Sequence, residues 1–209
     1  IQIGTGSTGI QSAPVIAKTA GHLTVMQRTA QFSVPARNAP LTPEFREWVK
    51  ANFPEIKRTM HSTTNGHSFT IQDRSAFDVS DEERMAIYEA AWEKGGLQFR
   101  ASFRDILSNK AANDTAAEFL KQKIRSIVKN PETAAMLSDI DHPYAAKRPP
   151  IDSFYFEAFN RPNVRLVDLR KAPIERITAD GVKTADGDYA FDILVFATGF
   201  DAMTGPFLR

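Results

Sequence analysis

The chain has 209 residues, and its 26 basic and 25 acidic side chains leave a net charge of +1. This balance argues against nucleic acid and anionic membranes as partners, because both attract a surplus of basic residues. A hydrophobic fraction of 42% and a charged fraction of 24% are typical of a folded globular protein. The absence of cysteine excludes disulfides, thiolate metal sites and a cysteine nucleophile, and it suits a reducing cytoplasm.

The apolar runs are too short for a membrane protein, and the first strand is shorter than usual. No apolar run approaches the roughly 18 residues of a membrane-spanning helix. Only residues 1–3 precede the first glycine-rich turn, whereas a buried strand usually has about 5–6 residues. We therefore expect the chain to be a segment of a longer protein, cut inside its first strand.

The first part of the chain predicts one β-α-β unit. Residues 1–3 are expected to form a strand, and a glycine-rich turn at 4–9 follows. Residues 10–20 are expected to form a helix, with Pro14 in its first turn, where proline is tolerated. Residues 23–26 then predict a second parallel strand.

Residues 41–140 show helical periodicity and almost no strand signal. One helix is expected to begin at Thr42 and to end at Pro54. A capping-box pattern at Ser80-Asp81-Glu82-Glu83 predicts the start of a second helix. Residues 114–129 carry apolar side chains at helical spacing and predict a third helix.

The strand pattern returns in the last part of the chain. Residues 164–167 predict a strand, and the Asp-Gly pairs at 180–181 and 186–187 predict hairpin turns. Residues 191–197 form a continuous apolar run, which is typical of a buried parallel strand.

These elements predict an α/β fold. We expect a Rossmann-like dinucleotide-binding domain with a parallel sheet, formed by residues 1–40 and 141–209. A large, mostly helical insertion is expected at residues 41–140.

The glycine-rich turn is Gly4-Thr5-Gly6-Ser7-Thr8-Gly9, a G-x-G-x-x-G sequence between a strand and a helix. The first glycine permits the tight turn, the second lets a pyrophosphate approach the backbone, and the third lets the helix pack on the strand. The free N–H groups at the helix start would hold the phosphates. The alternative is a tight turn that binds no ligand.

The residues after the second strand select the dinucleotide. An NAD or FAD site carries Asp or Glu there, which accepts hydrogen bonds from the ribose. This chain has Gln27-Arg28-Thr29 instead, with no carboxylate between Gly9 and Glu44. A guanidinium at Arg28 can bind a 2′-phosphate through two parallel bonds, so the sequence predicts NADPH. The alternative is that Arg28 is a solvated surface charge.

A metal site is not predicted. The histidines show neither i, i+4 pairing nor a nearby cluster of carboxylates, which zinc sites require. The sequence has four histidines, which are His22, His61, His67 and His142.

Five motifs occur together in a distinctive order. They are Gly4 to Gln11, Gln27 to Pro35, Lys147-Arg148-Pro149, Tyr155 to Asn160, and Ala197-Thr198-Gly199-Phe200-Asp201. The ordered set resembles the Baeyer–Villiger monooxygenases of the cyclohexanone monooxygenase type, flavin enzymes that insert oxygen beside a ketone carbonyl.

The resemblance covers only the NADPH domain of such an enzyme. The family's FAD domain is absent from this chain, and its F-x-G-x-x-x-H-x-x-x-W-P fingerprint is expected just before residue 1. The resemblance implies a parent enzyme that uses NADPH, FAD and O2 to convert a small ketone into an ester or lactone. An N- or S-oxygenating flavin monooxygenase is the alternative. The isolated chain is expected to bind NADPH without catalysing oxygenation.

The family pattern also implies residue roles. Arg28 and Thr29 would hold the 2′-phosphate together with Lys147. Arg148 would be the catalytic arginine, a permanent cation that stabilises developing negative charge. The alternative for Lys147 and Arg148 is a solvated basic pair before a Pro-Pro turn. The pyrophosphate and its surroundings would be contacted by Gly4, Thr5, Gly6, Ser7, Thr8, Gly9 and Gln11.

Overall fold

The computed structural model describes residues 1–63 and 66–200. The helices are α1 (Ser7–Thr19), α2 (Pro43–Ser62), α3 (Asp81–Lys94), α4 (Lys110–Ile127), α5 (Pro131–Ser138) and α6 (Tyr155–Ala158), with a 3-10 helix at Gly96–Ala101. The strands are β1 (Gln2–Ile3), β2 (Leu23–Gln27), β3 (Val34–Pro35), β4 (Ile151–Asp152), β5 (Val164–Asp168), β6 (Ile174–Ile177), β7 (Gly181–Thr184), β8 (Gly187–Ala190) and β9 (Val195–Phe196).

The chain divides into two compact units. One contains Ile1–Ser33 and the stretch from Leu120 onward, and the other is Val34–Phe119. In the first unit the Gln27 side chain donates to the Met136 carbonyl at 3.0 Å, which ties α5 to β2. The domain boundaries expected from the sequence, 40/41 and 140/141, stay a prediction.

The first unit is built on a parallel sheet with the strand order β5-β2-β1-β9. Ile3, Met26 and Val167 lie side by side in its register and pack against Ala172 and Val182 in one buried cluster. Helix α1 packs against strands β1 and β2. The predicted α/β fold with a parallel sheet is confirmed.

A small antiparallel sheet, β6-β7-β8, completes this unit. Its two reversals fall at the Asp-Gly pairs 180–181 and 186–187, so both predicted hairpins are confirmed. Val182, in β7, is fully buried and belongs to the same apolar cluster as Ile3.

Three helix boundaries differ from the sequence prediction. Helix α1 begins at Ser7, inside the glycine-rich loop, so Pro14 lies in its interior and not in its first turn. Helix α2 continues through Pro54 to Ser62, and none of its residues is buried, so water can satisfy the carbonyl that proline leaves without a donor. Helix α4 begins at Lys110, where the Asn109 side chain accepts from the Ala111 N–H at 3.0 Å.

The expectation of a buried strand over residues 191–197 was wrong. Only Val195 and Phe196 are in a strand, which pairs with β1 at the edge of the sheet. Ile193 is 71% exposed and Phe196 is 59% exposed. An edge strand has one neighbour, so an apolar sequence there does not ensure burial.

The second unit is helical around an aromatic core. The Tyr88 ring lies 5.4 Å from Phe99 and 5.5 Å from both Phe103 and Phe119, measured between centroids. Its hydroxyl lies 2.8 Å from the Thr115 hydroxyl, which satisfies the buried phenol. Within the two described ranges, no helix is long and apolar enough to cross a membrane.

Candidate cofactor-binding site

A cleft of about 550 Å³ lies at the carboxyl edge of the parallel sheet, where β1, β2, β5 and β9 end. Ligands of open α/β sheets bind at this edge. The cleft brings together most of the residues that the sequence predicted for cofactor binding. Those among its lining are Gly4, Thr5, Gly6, Ser7, Thr8, Arg28, Thr29 and Lys147.

The three glycines of the loop face different surroundings. Gly4 has a φ of +105°, and a Cβ there would lie 2.3 Å from the Ala197 carbonyl oxygen. A Cβ on Gly9 would lie 2.2 Å from the carbonyl oxygen of Gly4. A Cβ on Gly6 would meet no heavy atom of the described chain within 4 Å, although Gly6 lines the cleft. Glycine is therefore needed at positions 4 and 9 for close backbone packing, and Gly6 leaves open space in the cleft.

The start of α1 is arranged to accept an anion. Gly6 is its N-cap, no side chain among the described residues caps it, and its first turn holds no acidic residue. The first N–H groups of a helix lack intrahelical partners and carry the positive end of the helix dipole. This geometry favours a phosphate group in the cleft.

Two cations border the cleft from distant parts of the sequence. Arg28 follows β2, and Lys147 lies on the segment before β4. The Thr5 hydroxyl donates to the Thr29 carbonyl at 2.9 Å, which fixes the residue after Arg28 to the glycine-rich loop. The positive charge therefore lies close to the helix start.

Strand β5, next to β2, ends in a carboxylate, Asp168, that is paired with Arg170. Asp168 lies beside Gln27 in the sheet register. Its Oδ1 is 3.2 Å from Nε of Arg170, whose NH2 group also contacts Asp139 at 2.8 Å. Burial alone raises the pKa of Asp168, but the Arg170 hydrogen bonds outweigh burial and lower it. This carboxylate is neutralised locally by Arg170.

Three predicted site residues are not among the cleft's described lining. Gly9 is buried at the end of the loop, and the Gln11 side chain donates to the Ile151 carbonyl at 3.5 Å. Arg148 is exposed next to Lys147. Their roles stay predictions. Asp201, the last residue of the final motif, lies outside the described residues.

A buried pair that the sequence did not single out supports the segment carrying Lys147. The Ser33 hydroxyl donates to Oδ2 of Asp152 at 2.7 Å, and Oδ1 accepts from the Tyr155 N–H at 3.1 Å. Ser33 is 2% exposed and Asp152 is 4% exposed. The pair joins the segment after Arg28 to the segment after Lys147 across 119 residues. No local pattern reveals such a distant contact.

Burial raises the pKa of the Asp152 carboxyl, and the Ser33 hydroxyl and Tyr155 N–H offset only part of this effect. Burial also raises the pKa of Tyr155, whose hydroxyl has no hydrogen-bond partner among the described residues. The described ranges contain no group of three or more His, Asp or Glu residues suited to a metal ion.

The chain is similar along nearly its whole length to part of several monooxygenases. It is 44% identical over 210 residues to cyclohexanone 1,2-monooxygenase of an Acinetobacter species, a match that covers 99% of this chain and 38% of that protein. It is also 44% identical over 208 residues to phenazine N-monooxygenase PhzNO1 of Lysobacter antibioticus, covering 98% and 38%. No protein-family model matches the chain.

A solved structure agrees with these relatives. OTEMO in complex with FAD and NADP matches with a TM-score of 0.95 and 42% identity, covering 98% of this chain and 39% of that one. The chain matches one segment of the Baeyer–Villiger monooxygenases. The predicted resemblance is therefore confirmed. The chain spans about 38% of the length of the curated relatives it matches, so the Baeyer–Villiger similarity describes one part of such a protein.

The raised pKa of Asp152 predicts a pH dependence of stability. Burial disfavours its charged form, so its contribution to the free energy of unfolding is full below the unfolded pKa of about 3.9 and falls as pH rises through the folded pKa. Asp152→Asn removes this titration. We expect the stability of the variant relative to wild type to increase as pH rises from about 4, measured by urea unfolding at several pH values.

Asp188→Asn, which changes an exposed carboxylate on β8, is the control. The predicted desolvation of this carboxyl would be contradicted if the stability of Asp152→Asn relative to wild type stayed constant with pH. It would also be contradicted if that relative stability decreased as pH rises.

Proposed function

We propose that this chain is the NADPH-binding part of an FAD-dependent monooxygenase that converts ketones to esters or lactones. The observation that carries the proposal is the cleft itself. It combines an uncapped helix start, a glycine that leaves open space, and two cations at one edge of a parallel sheet. The Baeyer–Villiger similarity supports the choice of reaction.

The residues present fit a dinucleotide with a 2′-phosphate. A pyrophosphate fits the start of α1, because uncapped N–H groups and the helix dipole both favour an anion. Gly6 lets it approach the backbone closely. Arg28 and Lys147 suit the 2′-phosphate, since a guanidinium binds it bidentately and an ammonium adds a point charge.

The two cofactors, when bound, supply hydride transfer and oxygen activation. In this chain, Thr29 would act with Arg28 and Lys147 at the 2′-phosphate, and Ser7, Thr8 and Gln11 would act near the pyrophosphate. We propose Arg148 as the catalytic residue. Arg148 is exposed, and its guanidinium cation can stabilise negative charge that develops on the reacting atoms.

FAD would be bound by a part of the parent enzyme outside this chain. The sequence has one G-x-G-x-x-G turn, and the cations at its cleft suit NADPH better than FAD. On its own the chain would then be an NADPH-binding module without oxygenase activity, and its cysteine-free composition suits the cytoplasm.

Oxygenation of a nitrogen atom is the second candidate function. The phenazine N-monooxygenase is as similar to this chain as the cyclohexanone enzyme is, at 44% identity. Both candidate reactions use the same NADPH-binding cleft, so the cleft does not distinguish them.

The substrate class can be tested on the parent protein supplied with NADPH and FAD. We expect cyclohexanone to give a lactone and phenazine to give no N-oxide, as determined by mass spectrometry of the products. Formation of phenazine N-oxide without lactone would replace the ketone reaction with the second candidate.

Cofactor selectivity tests the role of Arg28. A charge-assisted hydrogen bond contributes about 1.5–3 kcal/mol, and each ~1.4 kcal/mol changes affinity tenfold. We expect wild type to bind NADPH more tightly than NADH, and Arg28→Ala to weaken NADPH binding about 10–100-fold while leaving NADH nearly unchanged. Isothermal titration of the purified chain with each cofactor measures both affinities.

Arg161→Ala is the matched control, because it removes an exposed arginine of the same unit outside the cleft lining. Equal losses of NADPH and NADH affinity in Arg28→Ala would show that Arg28 does not contact the 2′-phosphate. Flavin co-purifying with the chain would contradict its assignment as an NADPH module.

The open space at Gly6 predicts a second effect on binding. Gly6→Ala should lower stability by no more than about 1 kcal/mol, because alanine is a poorer N-cap than glycine while the added methyl meets no described atom within 4 Å. It should weaken both NADPH and NADH by about tenfold or more, because the methyl occupies the space that a pyrophosphate needs.

Gly21→Ala is the control for Gly6→Ala. Its Cβ also meets no atom within 4 Å, and Gly21 lies beyond the far end of α1. Unchanged affinity in Gly6→Ala, with the protein folded, would argue that the loop is a tight turn without a ligand.

A further inference from the structure

One aliphatic row of the parallel sheet is interrupted by a buried polar side chain. Gln2 lies in register with Val195 on one side and Val25 on the other, and Val25 pairs with Leu166. Gln2 is 0% exposed. Every other member of the row is aliphatic, so burial alone does not account for an amide at this position.

The Gln2 amide connects both ends of the glycine-rich loop. Its Nε2 donates to the Gly4 carbonyl at 3.2 Å and to the Gly9 carbonyl at 3.1 Å. Its Oε1 lies 2.7 Å from the Ser12 hydroxyl on α1. Only the NH2 end of the amide can face two carbonyl oxygens, so this orientation is determined by its partners.

The energetics favour a specific role for these contacts. Burying an amide without partners costs about 1–3 kcal/mol by mutational measures, whereas an aliphatic side chain there would only gain from burial. In Gln2, both N–H groups of the amide donate hydrogen bonds, so the cost of burying the amide is offset. A buried polar network that is fully bonded holds its members in one arrangement.

We propose that Gln2 is a positioning residue that holds the glycine-rich loop in the shape that binds the pyrophosphate of a dinucleotide. The inference rests on the proposed NADPH function. A trans peptide directs its carbonyl and the next N–H to opposite sides. Because the Gly4 carbonyl faces the buried amide, the N–H of Thr5 faces away from it, and Thr5 lines the cleft.

Gln2 does not replace the roles of the glycines or cations. It lies beneath the loop and is absent from the described lining of the cleft. Its effect on binding is therefore indirect. Without the Gln2 hydrogen bonds, the two ends of the loop become ordered only when the cofactor binds. The entropy lost in that ordering lowers the affinity for the cofactor.

The test compares two buried or half-buried amides that bind backbone carbonyls of the same unit. Gln2→Met removes the bridge while keeping the length and apolar stem of the side chain. Asn163→Leu is the matched control, because Asn163 donates to the Ala17 and Ala20 carbonyls at 3.0 and 2.9 Å, at the opposite end of α1.

We expect Gln2→Met to weaken NADPH and NADH binding by about tenfold each, since the pyrophosphate is common to both. Asn163→Leu should lower the unfolding midpoint in urea and leave both affinities unchanged. Isothermal titration with NADPH and NADH and urea unfolding of each folded variant provide the measurements.

The outcomes separate this inference from the proposed function. Wild-type protein that binds neither cofactor would overturn both. Wild-type binding with unchanged affinity in a folded Gln2→Met variant would overturn the inference alone, as would a loss confined to NADPH. If Gln2→Met does not fold, Ser12→Ala removes the partner of Oε1, together with the Ser12 bond to the Thr8 carbonyl at 2.8 Å. The expected loss is then on the order of threefold for both cofactors. No loss in that variant would overturn the inference.

Discussion

The close approach of β1 and β9 is the constraint on which the cleft depends. The Gly4 N–H donates to the Met26 carbonyl at 3.0 Å, and the Ala197 N–H donates to the Ile3 carbonyl at 2.8 Å. The first bond joins the loop to β2, and the second brings the chain after β9 so near to the loop that Gly4 has no room for a Cβ. The ends of three parallel strands therefore meet at one edge, where the start of α1 is also exposed.

The positive charge at this edge is a product of long-range contacts. Arg28 leaves β2 directly, but Lys147 reaches the same cleft from more than a hundred residues away. The buried bond between Ser33 and Asp152 joins the two segments. Burial makes the charged form of Asp152 costly, whereas Arg28 and Lys147 are exposed to solvent.

Buried polar side chains mark the parts of this fold that position the site. Gln2 joins the two ends of the glycine-rich loop, and Gln27 joins β2 to α5. Asp152 joins the segment after Lys147 to the segment after Arg28. In each case the partner is a backbone carbonyl or a side chain on another element. Such bonds add little net stability compared with apolar burial, but they select one arrangement of loops.

The sequence by itself determined the features that depend on neighbouring residues. The strand-turn-helix pattern around Gly4 and Gly9, the cation at Arg28 and the two Asp-Gly hairpins are local, because turn geometry and helix starts depend on a few adjacent residues. Gln2 is the one polar residue among the first three. That one polar residue was the available signal for the bridge across the loop.

Only the tertiary structure decided which distant side chains meet. It placed Lys147 in the cleft, left Arg148 outside the cleft's described lining, paired Ser33 with Asp152, and left Ile193 and Phe196 of the apolar run exposed at a sheet edge. Helix α2 passes through Pro54 for a similar reason, since its exposed surroundings set the cost of a proline there. Contacts between segments depend on strand register and on packing across the sheet, and no pattern of neighbouring residues contains that information.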